Sequence, residues 1–249
     1  MALETNQFFD LNKLPTEEGI LFFGISMNRI GNAQSAEACF EYLKWIDTKI
    51  EKTEGVGMVM WYGDYLYFHS DEPASRLRDR YKDLMLGHKN GFLNIISKDP
   101  NWIKKAFSFY TFGQVMLDNA EVFVSAQSKI IDFYQKDELF RKYVEDDCAV
   151  AGHGLGEKER MFILEEIIAY YLAAKGKLNF NNRFVPGTEK WVLLGYPGKP
   201  LKSEAYLFQK NPLGLSNPQN KFENCFYDVE GRVLYDYTRL DIDTFNFDK

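Results

Sequence analysis

The stretch Ile20-Leu21-Phe22-Phe23-Gly24-Ile25-Ser26-Met27-Asn28-Arg29 decides how this chain is read. GILFFGIS (19–26) is a short unbroken apolar run, the pattern of a strand buried on both faces of a parallel sheet. Asn32 and Ser35 are candidate caps for a following helix over about 33–52. Its apolar positions Ala36, Phe40, Leu43, Ile46 and Ile50 recur at three and four. GVGMVMWY (55–62) is a second buried run. Strand, helix and strand in this order predict a right-handed βαβ crossover and therefore a parallel sheet. Ser26 then stands at the tip of the first strand, either as a strand-end serine or as a nucleophile.

Working outward, residues 1–17 read as an N-terminal arm without a period. Pro73 can open a long basic helix through about Asn90, with Leu77, Tyr81, Leu84 and Met85 inward. AFSFYTFGQV (106–115) reads as a third strand. Two helices follow, over about 119–136 and 138–151, and Gly152 to Gly156 form a joint. Residues 157–175 are strongly helical, with Gly176 as the natural stop. KWVLLGYPGKP (190–200) is a further strand ended by Pro197, and 222–237 reads as a terminal hairpin turning at Glu230-Gly231. The expectation is one α/β domain spanning 1–249. Ligands in such sheets bind beyond the carboxyl ends of the strands, where Ser26, the stretch Trp61 to Tyr65, and Tyr196 fall.

Composition narrows the function. The chain has 249 residues, 45% of them hydrophobic, 16% aromatic and 27% charged. No apolar run is long enough for a transmembrane helix, and the N-terminus lacks the pattern of a signal peptide. No membrane partner is expected, and the location expected is cytoplasmic, with Cys39, Cys148 and Cys225 reduced. The net charge of −6 argues against a general nucleic-acid binder, and no DNA partner is expected. Between Arg76 and Lys105, however, eight basic residues face only three acidic ones. That stripe is either a solvated face or the footprint of one polyanionic partner. The usual phosphate-binding loops and the GxSxG elbow are absent, and the histidines and cysteines lack metal-ligand spacing, so no metal is expected.

One constellation remains. Ser26 ends a buried strand, Tyr196 ends a late one, and Glu165 and Glu166 lie in the apolar helix MFILEEIIAYYL. Adjacent helical residues point about 100° apart, so one carboxylate can face water while the other faces a site. A partly buried glutamate can move protons near neutral pH. Each residue taken alone also fits a structural role.

These residues resemble the motifs of the cyclodipeptide synthases, specifically their Tyr-Pro (XYP) group. Phe23-Gly24-Ile25-Ser26-Met27-Asn28 resembles the family's strand into Gly-apolar-Ser. Phe162-Ile163-Leu164-Glu165-Glu166 resembles its helix with an aromatic residue four places before a Glu, although the family's usual tyrosine is Phe162 here. Leu193-Leu194-Gly195-Tyr196-Pro197 resembles its strand ending in Tyr-Pro, and Arg29 stands where the other group has Asn.

The resemblance implies a Rossmann-like parallel sheet flanked by helices, similar to the catalytic domain of class Ic aminoacyl-tRNA synthetases. It implies an aminoacyltransferase that makes a diketopiperazine from two aminoacyl-tRNAs. The implied course is ping-pong transfer through an aminoacyl and then a dipeptidyl ester on Ser26, with no cofactor. Glu166, or in the other register Glu165, would hold the amino group and move protons, and Tyr196 would position the acyl group. Phe22, Gly24, Met27, Arg29, Phe162, Ala169, Leu194 and Pro197 would surround the substrate. Glu165, Tyr62 or Tyr65 would stand in for the hydroxyl that Phe162 lacks. Arg76, Arg78, Arg80, Lys82 and Lys89 would contact tRNA phosphate, and the protein would be a monomer or weak homodimer. Two rival readings stand beside this one, a serine acyltransferase or hydrolase and a non-catalytic tRNA-binding module.

Overall fold

The apolar run around Phe22 forms β1 (Gly19–Ile25), and GMVMWY belongs to β2 (Val56–Tyr62), parallel to it. This computed structural model describes residues 19–48, 56–64, 74–102, 107–150, 154–180 and 191–247. The remaining elements are α1 (Ala36–Asp47), α2 (Ala74–Ser97), β3 (Phe107–Thr111), α3 (Phe112–Asp118), α4 (Ala120–Lys136), α5 (Glu138–Val150), α6 (Glu157–Ala174), β4 (Trp191–Tyr196), α7 (Lys202–Lys210), β5 (Cys225–Asp228) and β6 (Val233–Asp236). The strands form one six-stranded sheet in the order β3-β2-β1-β4-β5-β6, parallel except for β6. The fold is thus mixed α/β with a mostly parallel sheet between helices.

The chain builds outward from β1 on one side and from β4 on the other. The direction of winding therefore reverses between these two parallel neighbours, and loops leaving their carboxyl ends diverge. Such a switch point is where open α/β sheets form their ligand crevice. Alternation along the strands sends successive side chains to opposite faces. Leu21, Phe23 and Ile25 join Leu43 of α1 and Phe92 of α2 in one core. Ile20 and Phe22 join residues of α4, α5, α6 and α7 in the other. Cys39, Cys148 and Cys225 are buried and unpaired.

Several expectations need correction. The run 106–115 does not stay extended, because Thr111 ends β3 and its side chain accepts from the Gln114 amide, starting α3. The helix α2 continues to Ser97 rather than stopping at Asn90. Leu84 is exposed, and Tyr81, His88, Phe92 and Ile96 form the buried stripe of α2. Helix α1 begins at Ala36, capped by Ser35 Oγ accepting from Ala38 N at 3.2 Å.

The helix α7 has no expectation matching it. Its N-cap, Leu201, has no capping side chain. Asp147 of α5 caps it instead, accepting from Lys202 N at 3.0 Å and Ser203 N at 2.7 Å. The start signal thus sits 55 residues away in sequence. The stop of α6 at Gly176 holds, with a positive φ of 64° and the Lys177 amide bonded back to Leu172. The terminal hairpin is present as β5 and β6. The N-terminal arm, Pro73 and the first two residues of the Gly152–Gly156 joint lie outside the described residues.

Candidate active site

Ser26 leaves β1 in a turn held by two kinds of bond. The Gly63 amide donates to Ile25 O at 2.9 Å, tying the ends of β1 and β2 together, and the Arg29 amide donates to Ser26 O at 3.0 Å. The fully buried Gln34 clamps the same corner. Its Oε1 accepts from Ser26 N at 2.7 Å and its Nε2 donates to Gly24 O at 2.6 Å. One amide side chain thus satisfies two backbone groups that the sheet no longer pairs. It fixes the height at which Ser26 stands.

Helix α6 supplies the opposite wall. It is apolar nearly all round because it lies beneath α4, α5 and α7, and its polar residues are therefore informative. Phe162, Glu166 and Tyr170 recur at intervals of four, so they share one face, and all three line a cavity above the β1/β4 crevice. Tyr170 reaches across to β1. A Cβ on Gly24 would stand 1.8 Å from its hydroxyl oxygen, so only glycine leaves room for this approach.

The end of β4 closes the third side. Arg29 spans the crevice, donating from Nη1 to the carbonyl of Pro197 at 3.0 Å, with its guanidinium 5.4 Å from the centre of the Tyr196 ring. A delocalised cation suits both contacts. Glu204 of α7 lies in the cavity wall as well. Burial pushes its carboxyl up to about 8, the nearby charge of Glu166 adds to the rise, and the Tyr237 hydroxyl works against it.

The cavity has a volume of about 280 Å³. Ser26, Asn28, Arg29, Glu166, Tyr170, Tyr196, Lys199 and Glu204 are its polar lining, and Trp61, Phe112, Phe162 and Phe226 are its rings. The structure therefore brings Ser26, Arg29, Phe162, Glu166 and Tyr196 together. Glu165 goes elsewhere: it is 5% exposed and accepts from Gln127 Nε2 of α4 at 3.1 Å. Phe22, Ala169 and Leu194 are buried in the core beneath the cavity, and Pro197 takes part through its carbonyl.

Tyr62 and Met27 are corrections to the expected substrate shell. Both belong to the core on the other face of the sheet. The Tyr62 hydroxyl lies 2.8 Å from His88 Nδ1, and Cys39 Sγ lies 3.8 Å from His88 Nε2. Burial holds His88 below the ordinary histidine range. Gly24, expected around the substrate, is instead covered by the Tyr170 ring. Tyr65 lies outside the described residues.

Of the basic stripe, Arg80 and Lys82 are exposed on α2 and Lys89 is half-buried over the Phe109 ring. Arg76 and Arg78 lie in the same helix, with side chains outside the described part. The site residues missed from sequence are Gln34, Tyr170, Lys199 and Glu204. Tyr170 carried a signal, its place one turn beyond Glu166. Among the described residues no cluster of three or more His, Cys, Asp or Glu could hold a metal, and no helix is long and apolar enough to cross a membrane.

The fold is one shared with solved cyclodipeptide synthases. The CDPS from Staphylococcus haemolyticus superposes with a TM-score of 0.52 at 11% identity, covering 81% of this chain and 87% of that one. The cyclodipeptide synthase from Bacillus thermoamylovorans gives 0.52 at 15% identity, covering 81% and 85%. No family model and no curated protein matches the sequence itself.

Proposed function

We propose that this protein is a cyclodipeptide synthase, joining two aminoacyl groups from tRNA into a diketopiperazine. The observation that carries the reading is the meeting of Ser26, Glu166 and Tyr196 in one cavity at the β1/β4 switch point. The shared fold supports it independently.

In this reading Ser26 Oγ attacks the ester carbonyl of the first aminoacyl-tRNA. The new ester forms on Ser26, the bond to the tRNA ribose oxygen breaks, and the serine proton ends on that oxygen. The amine of the Ser26-bound residue then attacks the ester of the second aminoacyl-tRNA, the bond to that tRNA's ribose oxygen breaks, and the amine proton ends on the released ribose hydroxyl. The opposite attack would leave the peptide on tRNA, whereas this one leaves a dipeptidyl ester on Ser26. Its free amine closes on the Ser26 ester and releases the six-membered ring and the serine hydroxyl. The ester arrives activated, so no step needs ATP. Glu166 accepts hydrogen bonds from the ammonium group and takes protons as each amine becomes a nucleophile. Tyr196, held by Arg29, orients the acyl group.

The basic face of α2 is the docking surface for tRNA phosphate in this reading, positioning it without reading sequence. A hydrolase reading needs a base at Ser26, and His88 lies across the sheet in the Tyr62 and Cys39 cluster.

Incubation with mixed aminoacyl-tRNAs and mass spectrometry of the products tests the proposal. Diketopiperazines and an acylated Ser26 peptide are expected from the wild type, and neither from Ser26→Ala. Wild-type protein that gives neither species overturns the reading. Full synthesis by Ser26→Ala removes the serine ester from it.

A further inference from the structure

The acyl-transfer scheme places the carbonyl and the amine of the first amino acid and leaves its side chain unplaced. The alternation that turns Ile20 and Phe22 of β1 toward α6 puts Gly24 on the same face. Ser26, two residues on, lines the cavity on that side. On α6, Glu166 and Tyr170 stand one turn apart and both line the cavity. Two strand positions therefore oppose two helix positions. Ser26 and Glu166 are the outer pair, at the carboxyl end of the sheet, and Gly24 and Tyr170 are the inner pair.

The inner pair is closed. A Cβ on Gly24 would stand 2.9 Å from Tyr170 Cζ and 3.3 Å from Cε1, so the ring fills the space that the missing side chain leaves. The ring is also braced from the side. Trp61 meets it edge-on, with 6.0 Å between centroids and 86° between planes. Trp61 is itself stacked on Phe112 at 5.2 Å and T-shaped against Phe22 at 5.1 Å. Moving Tyr170 aside therefore means repacking this set of rings, which a close-packed interior resists.

The chemistry sends a side chain toward this pair. In the synthase reading the acyl carbon is bonded to Ser26 Oγ and the amine is held by Glu166. The ribose oxygen departs toward the open side, where the second aminoacyl-tRNA must enter. The direction left for the side chain leads inward, onto Tyr170.

We propose that Tyr170 is a specificity-determining residue that, together with Gly24, limits the amino acid carried on Ser26 to a small side chain. This rests on the synthase reading above. A braced wall rejects larger groups, because they can be seated only by overpacking, whereas smaller ones fit as they are.

The test mixes wild type, Tyr170→Ala and Tyr170→Phe with tRNA charged with each amino acid in turn, and follows the Ser26 ester in a single turnover by mass spectrometry of the intact protein. Wild type is expected to take glycine, alanine and serine faster than leucine and phenylalanine. Tyr170→Ala raises the leucine and phenylalanine rates relative to the alanine rate by about 10-fold or more. Tyr170→Phe, which keeps the ring, keeps the wild-type order. Tyr170→Leu serves if the alanine variant fails to fold.

A wild type acylated by leucine or phenylalanine as fast as by alanine overturns the assignment. So do unchanged rate ratios in Tyr170→Ala, including an equal fall for every amino acid with a lower Tm, which marks a purely structural role. In each of these cases the synthase reading stands. A wild type that gives neither a Ser26 ester nor a diketopiperazine with any aminoacyl-tRNA overturns the synthase reading, and this inference with it.

Discussion

The Tyr170 hydroxyl stands directly over Gly24: a Cβ there would lie 1.8 Å from the oxygen and 2.9 Å from ring carbon Cζ. The middle helix of one layer thereby touches the backbone of the central strand two residues before Ser26. Gly24→Ala must push the ring aside. Overpacking of this kind costs about 1–3 kcal/mol, read as a lower denaturant midpoint. Adding Tyr170→Leu is expected to restore most of that loss, and Tyr170→Phe less, because Cζ remains. A Gly24→Ala variant with wild-type stability and activity would remove the close approach from the account.

Gln34→Ala is expected to damage Ser26 without touching it. It leaves the Ser26 amide and the Gly24 carbonyl without their partner. Leaving a buried donor or acceptor unpaired costs about 1–3 kcal/mol each. The rate of Ser26 acylation is expected to fall more than tRNA affinity does, in single-turnover acylation against equilibrium binding. Equal losses in both would assign Gln34 to general stability alone.

Reversing Arg80, Lys82 and Lys89 to Glu is expected to weaken tRNA binding, and more so at low salt. Each tRNA phosphate that these side chains no longer neutralise lowers the slope of log affinity against log salt by about 0.7–0.9. Filter binding over a salt series measures this. An unchanged slope would move the docking surface off α2.

Glu204 gives the stability a pH dependence of defined sign. Its carboxyl rises from the ordinary 4.5 to about 8 in the folded protein, through burial first and Glu166 and Asp147 after, against Tyr237 and the Leu201 amide. The folded state therefore holds a proton that the unfolded chain releases above about 4.5. Its contribution is complete below that value, declines as pH rises toward 8, and is gone above it. Glu204→Gln does not titrate, so its Tm relative to wild type is expected to climb from pH 5 to 8 and then level. A constant difference across that range would mean that the carboxyl stays ionised in the folded state.

The parallel core was legible because β1 and β2 are buried on both faces and write their burial as unbroken apolar runs. Ser26, Glu166 and Tyr196 were legible as a set, and the choice between Glu165 and Glu166 was not. That choice depends on which helix packs on which side, and Gln127 of α4 decides it by bonding Glu165. The helix α7 was hidden because its cap comes from Asp147, and Glu204 with it. Tyr62 was misjudged because one residue along a strand changes the face, and Trp61 took the cavity side.

The three buried thiols divide between the two cores, Cys39 and Cys225 on the α1/α2 face and Cys148 on the α6 face. Burial raises all three above the ordinary thiol range, Cys148 to about 11. A thiol reagent therefore finds no reactive sulfur until part of the chain opens. The protein carries its own clock for opening, with separate hands for the two sides of the sheet: the order in which Cys148 and the other pair become modified reports which layer lifts first.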